Sequence, residues 1–156
     1  MTHNYNPRHD HERCIRTAID AAEQLCKLRG AKLTPIRHKV LELILTNHQA
    51  VKAYDLLDQI KLVNVAAKPA TVYRALDFLL EQGLIHRVES LNAFVGCHSS
   101  NIRHEQLLLI CSVCHNIEER SSASLMRILD EELQDAGFSA QRKTIEILGL
   151  CKNCQQ

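Results

Sequence analysis

Four cysteines in two Cys-x-x-Cys pairs are the strongest chemical signal in this sequence. The pairs are Cys111 with Cys114 and Cys151 with Cys154. A Cys-x-x-Cys loop brings two thiolates to one tetrahedral ion, and two such loops complete the closed shell of a structural zinc. The interval between the pairs is long, but a strand, a helix and a strand would fill it and return the chain. The spacing therefore predicts one structural zinc ion in the C-terminal third.

A second set of possible metal ligands lies on both sides of residues 98–103, a short polar segment that we interpret as a hinge. Before this hinge, alternating residues predict a β-hairpin with a tight turn between Leu91 and Asn92, which places His86 opposite Cys97. Opposed side chains have β-carbons about 5 Å apart, so one imidazole and one thiolate can bind the same ion.

After the hinge, the same construction centred on the first cysteine loop places Glu119 opposite Gln106 and diagonal to His104. An ion bound by all four candidate ligands would fix the angle between the two parts of the chain, as a ligand-operated switch does. Such a set suits zinc better than iron(II) or manganese(II), and its full shell leaves no open position for a hydrolytic water. The four ligands are His86, Cys97, His104 and Glu119.

The first part of the chain must position half of this set, and its apolar residues follow helical spacing. Thr34-Pro35 offers a capping hydroxyl and a proline at the first position of the second helix. The last helix carries Thr71, Arg74 and Asp77 on its outward face. The four helices are predicted over residues 14–28, 34–46, 53–60 and 69–83.

Three or four short helices followed by a two-stranded hairpin are the plan of a winged helix-turn-helix. In that fold the last helix enters the DNA major groove. A generic small α/β core is the alternative that the pattern leaves open.

The second part of the chain reads as a β-β-α-β unit of about 53 residues. A unit of this size is close to the limit at which one apolar core suffices, so a zinc staple is expected. The sequence thus predicts an α+β protein in four segments. They are a mobile tail (1–12), a winged-helix DNA-binding domain (13–97), a hinge (98–103) and a zinc-stapled domain (104–156).

Composition excludes several classes of protein. Charged residues make up 24% of the chain and apolar residues 46%, and no run of 18 apolar residues could form a transmembrane helix. The polar N-terminus lacks the apolar stretch of a secretory signal, so we expect a cytoplasmic protein. Seven cysteines in a reducing compartment are poor candidates for a disulfide framework. The net charge of +1 does not identify a partner.

Several motifs, together with the paired cysteines, resemble the ferric uptake regulator family. The resemblance covers nearly all of residues 14–154 and is nearest to the zinc-sensing branch of the family. Residues 71–83 form its most specific stretch. The motifs are Leu33-Thr-Pro-Ile-Arg37, Ala53-Tyr-Asp-Leu-Leu57 and Lys68-Pro-Ala-Thr-Val-Tyr-Arg-Ala-Leu76.

The resemblance implies a dimeric repressor that binds operator DNA when loaded with two zinc ions per protomer, and that silences zinc-uptake genes. It implies a structural site at the four paired cysteines, a regulatory site at the His-Cys-His-Glu set and dimerisation through the C-terminal domain. It also implies DNA contacts, and an arginine among them could read a guanine edge bidentately. The resemblance places Tyr54 and Arg74 at base-facing positions and Tyr73 in the same motif, and the outward face of the last helix adds Thr71 to the predicted DNA-binding residues.

One departure from the family favours zinc over iron or peroxide sensing. Iron-sensing relatives carry several histidines just before the first Cys-x-x-Cys, whereas this chain has only His104 there and His98 further back. Two alternatives remain open: a family member that senses another metal or peroxide, and a zinc-stapled enzyme or redox protein. The sequence contains no Ser-His-Asp set, phosphate loop or open metal site that would favour an enzyme.

Overall fold

The chain divides into two compact units, residues 1–102 and 103–156. The computed structural model describes residues 11–46, 49–97, 106–141 and 143–155. Residues 1–10 of the predicted tail and the whole of the predicted hinge therefore lie outside the described residues. Within the described ranges, no helix has the length and apolar character needed to cross a membrane.

Four helices open the N-terminal unit, as the sequence predicts. Helix α1 begins at His11, three residues earlier than its apolar spacing predicts, and Gly30 with φ of 66° follows its end. The predicted hydroxyl cap of α2 is wrong, because the Thr34 side chain makes no capping hydrogen bond. The helix nevertheless begins at Pro35, whose ring fixes φ near the helical value. The helices are α1 (His11–Leu28), α2 (Pro35–Leu45), α3 (Ala53–Val63) and α4 (Pro69–Glu81).

These helices surround one apolar core. Helices α2, α3 and α4 each bury one stripe of aliphatic side chains against the others, because apolar residues recur at intervals of three and four. Burial of one such side chain contributes about 1.5–3 kcal/mol relative to its exposure. The fully buried aliphatic residues include Val40, Leu41, Ile44, Leu56, Ile60, Val72, Leu76 and Leu79.

Both ends of helix α4 are fixed by local hydrogen bonds. At its start, the Thr71 hydroxyl accepts the backbone N–H of Lys68 at 3.3 Å, and the Thr71 N–H donates to the Lys68 carbonyl at 2.8 Å. At its end, Gly83 has a φ of 67° and the Leu84 N–H donates to the Leu79 carbonyl at 2.9 Å. Glycine adopts this left-handed conformation without a steric penalty, so the helix ends where the sequence predicts.

An antiparallel hairpin follows, formed by strands β1 (Ile85–Val88) and β2 (Ala93–Gly96). The predicted register is wrong, because His86 pairs with Val95 and not with Cys97. The cause is the turn, since Glu89–Leu91 form a 3-10 turn and Asn92 takes a left-handed φ of 47°. The four-residue loop moves every pair by two positions relative to a two-residue turn.

Strand β2 also pairs on its other side with Val51, which lies two residues before the start of helix α3. The Val51 N–H donates to the Phe94 carbonyl at 2.8 Å, and the Phe94 N–H donates to the Val51 carbonyl at 2.9 Å. Helix α3 begins two residues later, at Ala53. The hairpin is therefore hydrogen-bonded to the chain that leads directly into α3.

The C-terminal unit has the predicted β-β-α-β order. Its sheet has the strand order β4-β3-β5, with β3 antiparallel to β4 and parallel to β5. Helix α5 makes the crossover that a parallel pair requires. The elements are β3 (Gln106–Cys111), β4 (Ile117–Arg120), α5 (Ala123–Asp135) and β5 (Thr144–Gly149), followed by a 3-10 turn over Lys152–Cys154.

The register predicted for the β3–β4 hairpin is also wrong by two positions. Glu119 pairs with Leu108, not with Gln106. The loop is displaced toward β4, since Cys111 N–H bonds to the Asn116 carbonyl at 3.0 Å and His115 takes a left-handed φ of 56°.

Candidate metal centres and nucleic-acid surface

The four paired cysteines of the C-terminal unit converge on one point. Their sulfur atoms all lie within 4.8 Å of one another, and Cys114 Sγ is 3.7 Å from Cys151 Sγ. A tetrahedral zinc with Zn–S bonds of 2.3 Å separates its sulfurs by about 3.8 Å. The four thiols therefore fit a closed tetrahedral zinc site.

The first pair is held by the loop between β3 and β4. Cys111 is the last residue of β3 and is buried. Its carbonyl accepts the His115 N–H at 3.0 Å, and this bond curls the loop so that Cys114 faces back toward Cys111. The left-handed backbone of His115 closes the loop, while its own side chain is exposed.

The second pair follows β5, and the parallel pairing of β5 with β3 brings it to the first. Cys111 is in register with Gly149, two residues before Cys151. The N–H and the hydroxyl of Ser112 both donate to the Gly149 carbonyl, at 2.9 and 3.1 Å. Sequence reasoning missed this role of Ser112, because nothing in the Cys-x-x-Cys spacing distinguishes the residues between the cysteines.

Backbone N–H groups around Cys111 favour the thiolate form of its side chain. The N–H groups of Cys114, Cys151 and Val113 lower the pKa of Cys111 to about 6, because they donate to the sulfur in its charged form. The Cys151 N–H lies 3.4 Å from Cys111 Sγ. The Cys151 thiol beside Cys154, and then burial, raise the pKa of Cys154 to about 12. Cys111 is therefore predisposed to ionise, whereas Cys154 would need a nearby cation to become a thiolate.

The hairpin of the N-terminal unit brings two further candidate ligands together. A ring nitrogen of His86 and the sulfur of Cys97 lie within 4.8 Å of each other. His86 is only 2% exposed, which is unusual for a histidine. The Cys97 N–H donates to the Leu84 carbonyl at 3.0 Å, so Cys97 lies opposite Leu84 and diagonal to His86 on the same face. His86 and Cys97 are therefore close together, as predicted, although the predicted register is wrong.

The other two predicted ligands belong to the C-terminal unit. Glu119 lies on β4, half-buried, in register with Leu108. His104 lies outside the described residues. The pairing of His104 with Glu119 therefore stays a prediction.

The four predicted DNA-binding residues lie on two helices of the N-terminal unit. Tyr54, in the first turn of α3, is 72% exposed. On α4, Tyr73 is 47% exposed and Arg74 is exposed, because Val72 and Ala75 take the positions that face the core. Thr71 is half-buried and caps α4 with its hydroxyl. The two tyrosines and Arg74 are therefore available to a partner.

Comparison with known proteins adds a family to this geometry. Residues 28–148 match the sequence model described as the ferric uptake regulator family. The zinc uptake regulation protein of Escherichia coli K12 is 42% identical over 134 residues, a stretch that covers 85% of this chain and 78% of that protein.

Two solved structures are similar over most of their length. One is a zinc uptake regulator complexed with zinc and DNA, with a TM-score of 0.86 and 40% identity over 90% of this chain and 94% of that chain. The other is the holo form of XcZur, with a TM-score of 0.80 and 44% identity over 88% of this chain and 96% of that chain.

Proposed function

Because the chain belongs to the ferric uptake regulator family, we propose that it is a zinc-responsive transcriptional repressor. In this proposal, a zinc-loaded dimer binds palindromic operator DNA in the cytoplasm and represses zinc-uptake genes. One observation carries it: an imidazole and a thiolate, His86 and Cys97, meet on a hairpin that is bonded to the start of a helix with an exposed tyrosine. The hairpin that carries this candidate ligand pair is thus hydrogen-bonded, through Val51, to the chain that leads into α3.

We assign the two zinc ions of each protomer different roles. The four-cysteine site would hold a structural ion, because its closed sulfur shell leaves no position for exchange or catalysis. The second ion would be regulatory, bound by His86, Cys97, His104 and Glu119. The proximity of His86 to Cys97 supports the first half of this set. The other half rests on the sequence pattern and on the resemblance to the family.

The DNA surface would consist of the N-terminal turns of α3 and α4. Arg74 can donate two parallel hydrogen bonds to a guanine edge in the major groove, and each such pair contributes about 1–3 kcal/mol of discrimination. Tyr54 and Tyr73 can donate hydroxyl hydrogen bonds to bases or phosphates. Thr71 would act mainly by capping α4, with its hydroxyl proton left for a phosphate.

The C-terminal unit offers a surface for dimerisation. Helix α5 buries only Met126 completely, and β5 is an edge strand of the sheet. Large apolar side chains are exposed on both elements and near their ends, which is characteristic of an interface. These side chains are Leu125, Ile128, Phe138, Ile147, Leu148 and Leu150. A two-fold pairing of this surface would carry two DNA-binding units to successive half-sites of a palindrome.

The proposal is tested by zinc content per protomer together with DNA binding across a buffered series of free zinc. The DNA probe is a duplex selected from a random-sequence pool by the zinc-loaded wild-type protein. We expect two zinc ions in the wild type and one in the double variant His86→Ala, Cys97→Ser. Only the wild type should bind DNA as zinc rises.

Cys14→Ser is the matched control, because Cys14 is an exposed cysteine outside both candidate sites. It should behave as the wild type in both measurements. If the double variant holds the same zinc and binds DNA alike, the proposed regulatory site is not the switch. A stronger response to iron(II) or manganese(II) than to zinc would favour a sensor of another metal.

A further inference from the structure

Arg87 is the exposed side chain of a strand whose other residues are buried. In β1, Ile85, His86 and Val88 are buried and Arg87 faces solvent. Its guanidinium is held by two residues of the adjoining turn. Arg87 Nε lies 3.1 Å from Glu89 Oε2, and Arg87 Nη2 donates to Asn92 Oδ1 at 3.2 Å.

The position of Arg87 places it one strand away from the chain that leads into helix α3. Arg87 pairs with Phe94, and Phe94 pairs on its other side with Val51. Neighbouring strands are about 4.8 Å apart, so the backbone of Arg87 is about 10 Å from that of Val51. Tyr54, the exposed tyrosine of the proposed DNA surface, follows Val51 by three residues. The distance of about 10 Å between the backbones of Arg87 and Val51 is within the span of a few phosphates along one DNA strand.

The contacts of Arg87 are better explained as a means of orienting its side chain than as a source of folding stability. Both side chains of the pair are substantially exposed, 45% for Arg87 and 66% for Glu89, and exposed ion pairs contribute only about 0–1 kcal/mol. Two contacts do, however, restrict a long side chain that would otherwise sample many rotamers. A guanidinium has five N–H donors, so Arg87 can keep one contact while it donates to a phosphate.

We propose that Arg87 binds a backbone phosphate of the operator beside the half-site read by α3 and α4, and that Glu89 weakens this contact. The proposal rests on the DNA-binding function proposed above. The Asn92 side-chain oxygen Oδ1, which carries no net charge, accepts from the guanidinium and orients it. The Glu89 carboxylate holds the guanidinium in the free protein and repels the phosphate in the complex, so it lowers affinity for every sequence alike.

The test compares Arg87→Gln with Glu89→Gln in the zinc-loaded full-length dimer. The probes are the selected operator duplex and an unrelated duplex, each titrated at several salt concentrations. We expect Arg87→Gln to weaken binding to both duplexes by roughly three- to tenfold. It should also reduce the slope of log affinity against log salt by about 0.9 per protomer. Glu89→Gln should strengthen binding to both duplexes.

Arg120→Gln is the matched control. Arg120 lies on strand β4 of the other unit and pairs with Glu118 at 2.8 Å, with exposed fractions of 44% and 47%. The Arg120→Gln variant therefore loses an arginine on a strand and an exposed ion pair, as Arg87→Gln does. We expect wild-type DNA affinity and salt dependence from this variant. Equal zinc content and thermal stability among the variants would exclude misfolding as the cause of any difference.

Opposite effects of the two substitutions are the distinguishing result. If the Arg87–Glu89 pair only stabilises the turn, both substitutions should weaken DNA binding together, and that outcome would overturn the proposal. So would wild-type affinity for Arg87→Gln, or a loss confined to one base position of the operator. Failure of the wild-type protein to bind any duplex with zinc would instead contradict the proposed function itself.

Discussion

The side chain of Leu45 in helix α2 packs directly against the backbone of Gly96 in strand β2: a β-carbon added to Gly96 would lie 2.5 Å from Cδ2 of Leu45. Real β-carbons do not approach other atoms so closely, so only glycine fits here without a shift. Leu45 is the last residue of α2, and Cys97 follows Gly96 directly. The contact therefore fixes where the hairpin presents a proposed metal ligand.

Substitution Gly96→Ala should destabilise the N-terminal unit by roughly 1 kcal/mol, because the Leu45 side chain must leave its present rotamer to make room for the added methyl group. Thermal unfolding of the zinc-loaded protein measures the effect. Gly149→Ala is the control, since a β-carbon there meets nothing within 4 Å. The double variant Leu45→Ala, Gly96→Ala should be more stable than the single variant Leu45→Ala. Equal melting temperatures for the two glycine variants would contradict the close contact.

Substitution Cys154→Ser should remove one zinc ion and lower the stability of the C-terminal unit. A structural zinc site contributes its binding free energy to folding, about 10–16 kcal/mol in small zinc peptides, so a unit of this size depends on it. Zinc analysis and circular dichroism measure the loss, and Cys14→Ser serves as the control. A Cys154→Ser protein that keeps both zinc ions and its melting temperature would exclude the four-cysteine site.

In the metal-free protein, Cys111 should become a thiolate near pH 6, whereas Cys154 should stay a neutral thiol well above its ordinary range. The N–H groups around Cys111 lower its pKa to about 6 from 9.0, whereas the pKa of Cys154 is raised to about 12. Thiolate absorbance near 240 nm follows this titration.

The same shift of Cys111 gives the sign of the pH effect on stability. Between about pH 6 and pH 9 the unfolded state binds more protons at Cys111, so this group stabilises the metal-free fold as pH rises. The contribution is complete above the unfolded pKa and is lost as pH falls through 6. Cys111→Ser should abolish the low-pH step, and a step that persists in this variant would assign it to another group.

Substitution Leu148→Glu should convert the dimer to a monomer. Leu148 is 57% exposed on the edge strand β5, and a two-fold interface would bring two buried carboxylates together. Sedimentation velocity measures the change, and operator affinity should fall with it. Leu62→Glu is the control, because Leu62 is exposed on α3 of the other unit. A dimeric Leu148→Glu protein would place the interface elsewhere.

The proximity of His86 and Cys97 could be predicted from sequence although the register could not. Periodicity of two assigns each residue to a face of a strand, and a shift of two positions leaves that assignment unchanged. The loop over residues 89–92 produced such a shift, so a directly opposed pair became a diagonal pair on the same face. Glu119 kept its face for the same reason.

Features that depend on individual hydrogen bonds could not be predicted. Thr34 has the sequence signature of a capping residue but makes no cap, whereas Thr71 provides the hydroxyl that caps α4. The bonds from Ser112 to Gly149 connect residues 37 positions apart, so no local pattern reports them. The order of helices and strands along the chain follows from periodicity, while turn type and side-chain partners follow from tertiary structure.

Because β3 and β5 pair in parallel, the positions of the zinc-binding cysteines do not depend on the number of residues between the two pairs. Cys111 is set by the end of β3, and Cys151 by the end of β5, so the ion is positioned by strand register and not by loop length. Insertions or deletions among residues 136–143 would change the connection between α5 and β5 and leave the four-cysteine site in place. This loop is thus open to evolutionary variation and to the insertion of a reporter peptide, and a search for such zinc sites by a fixed spacing between the cysteine pairs would overlook them.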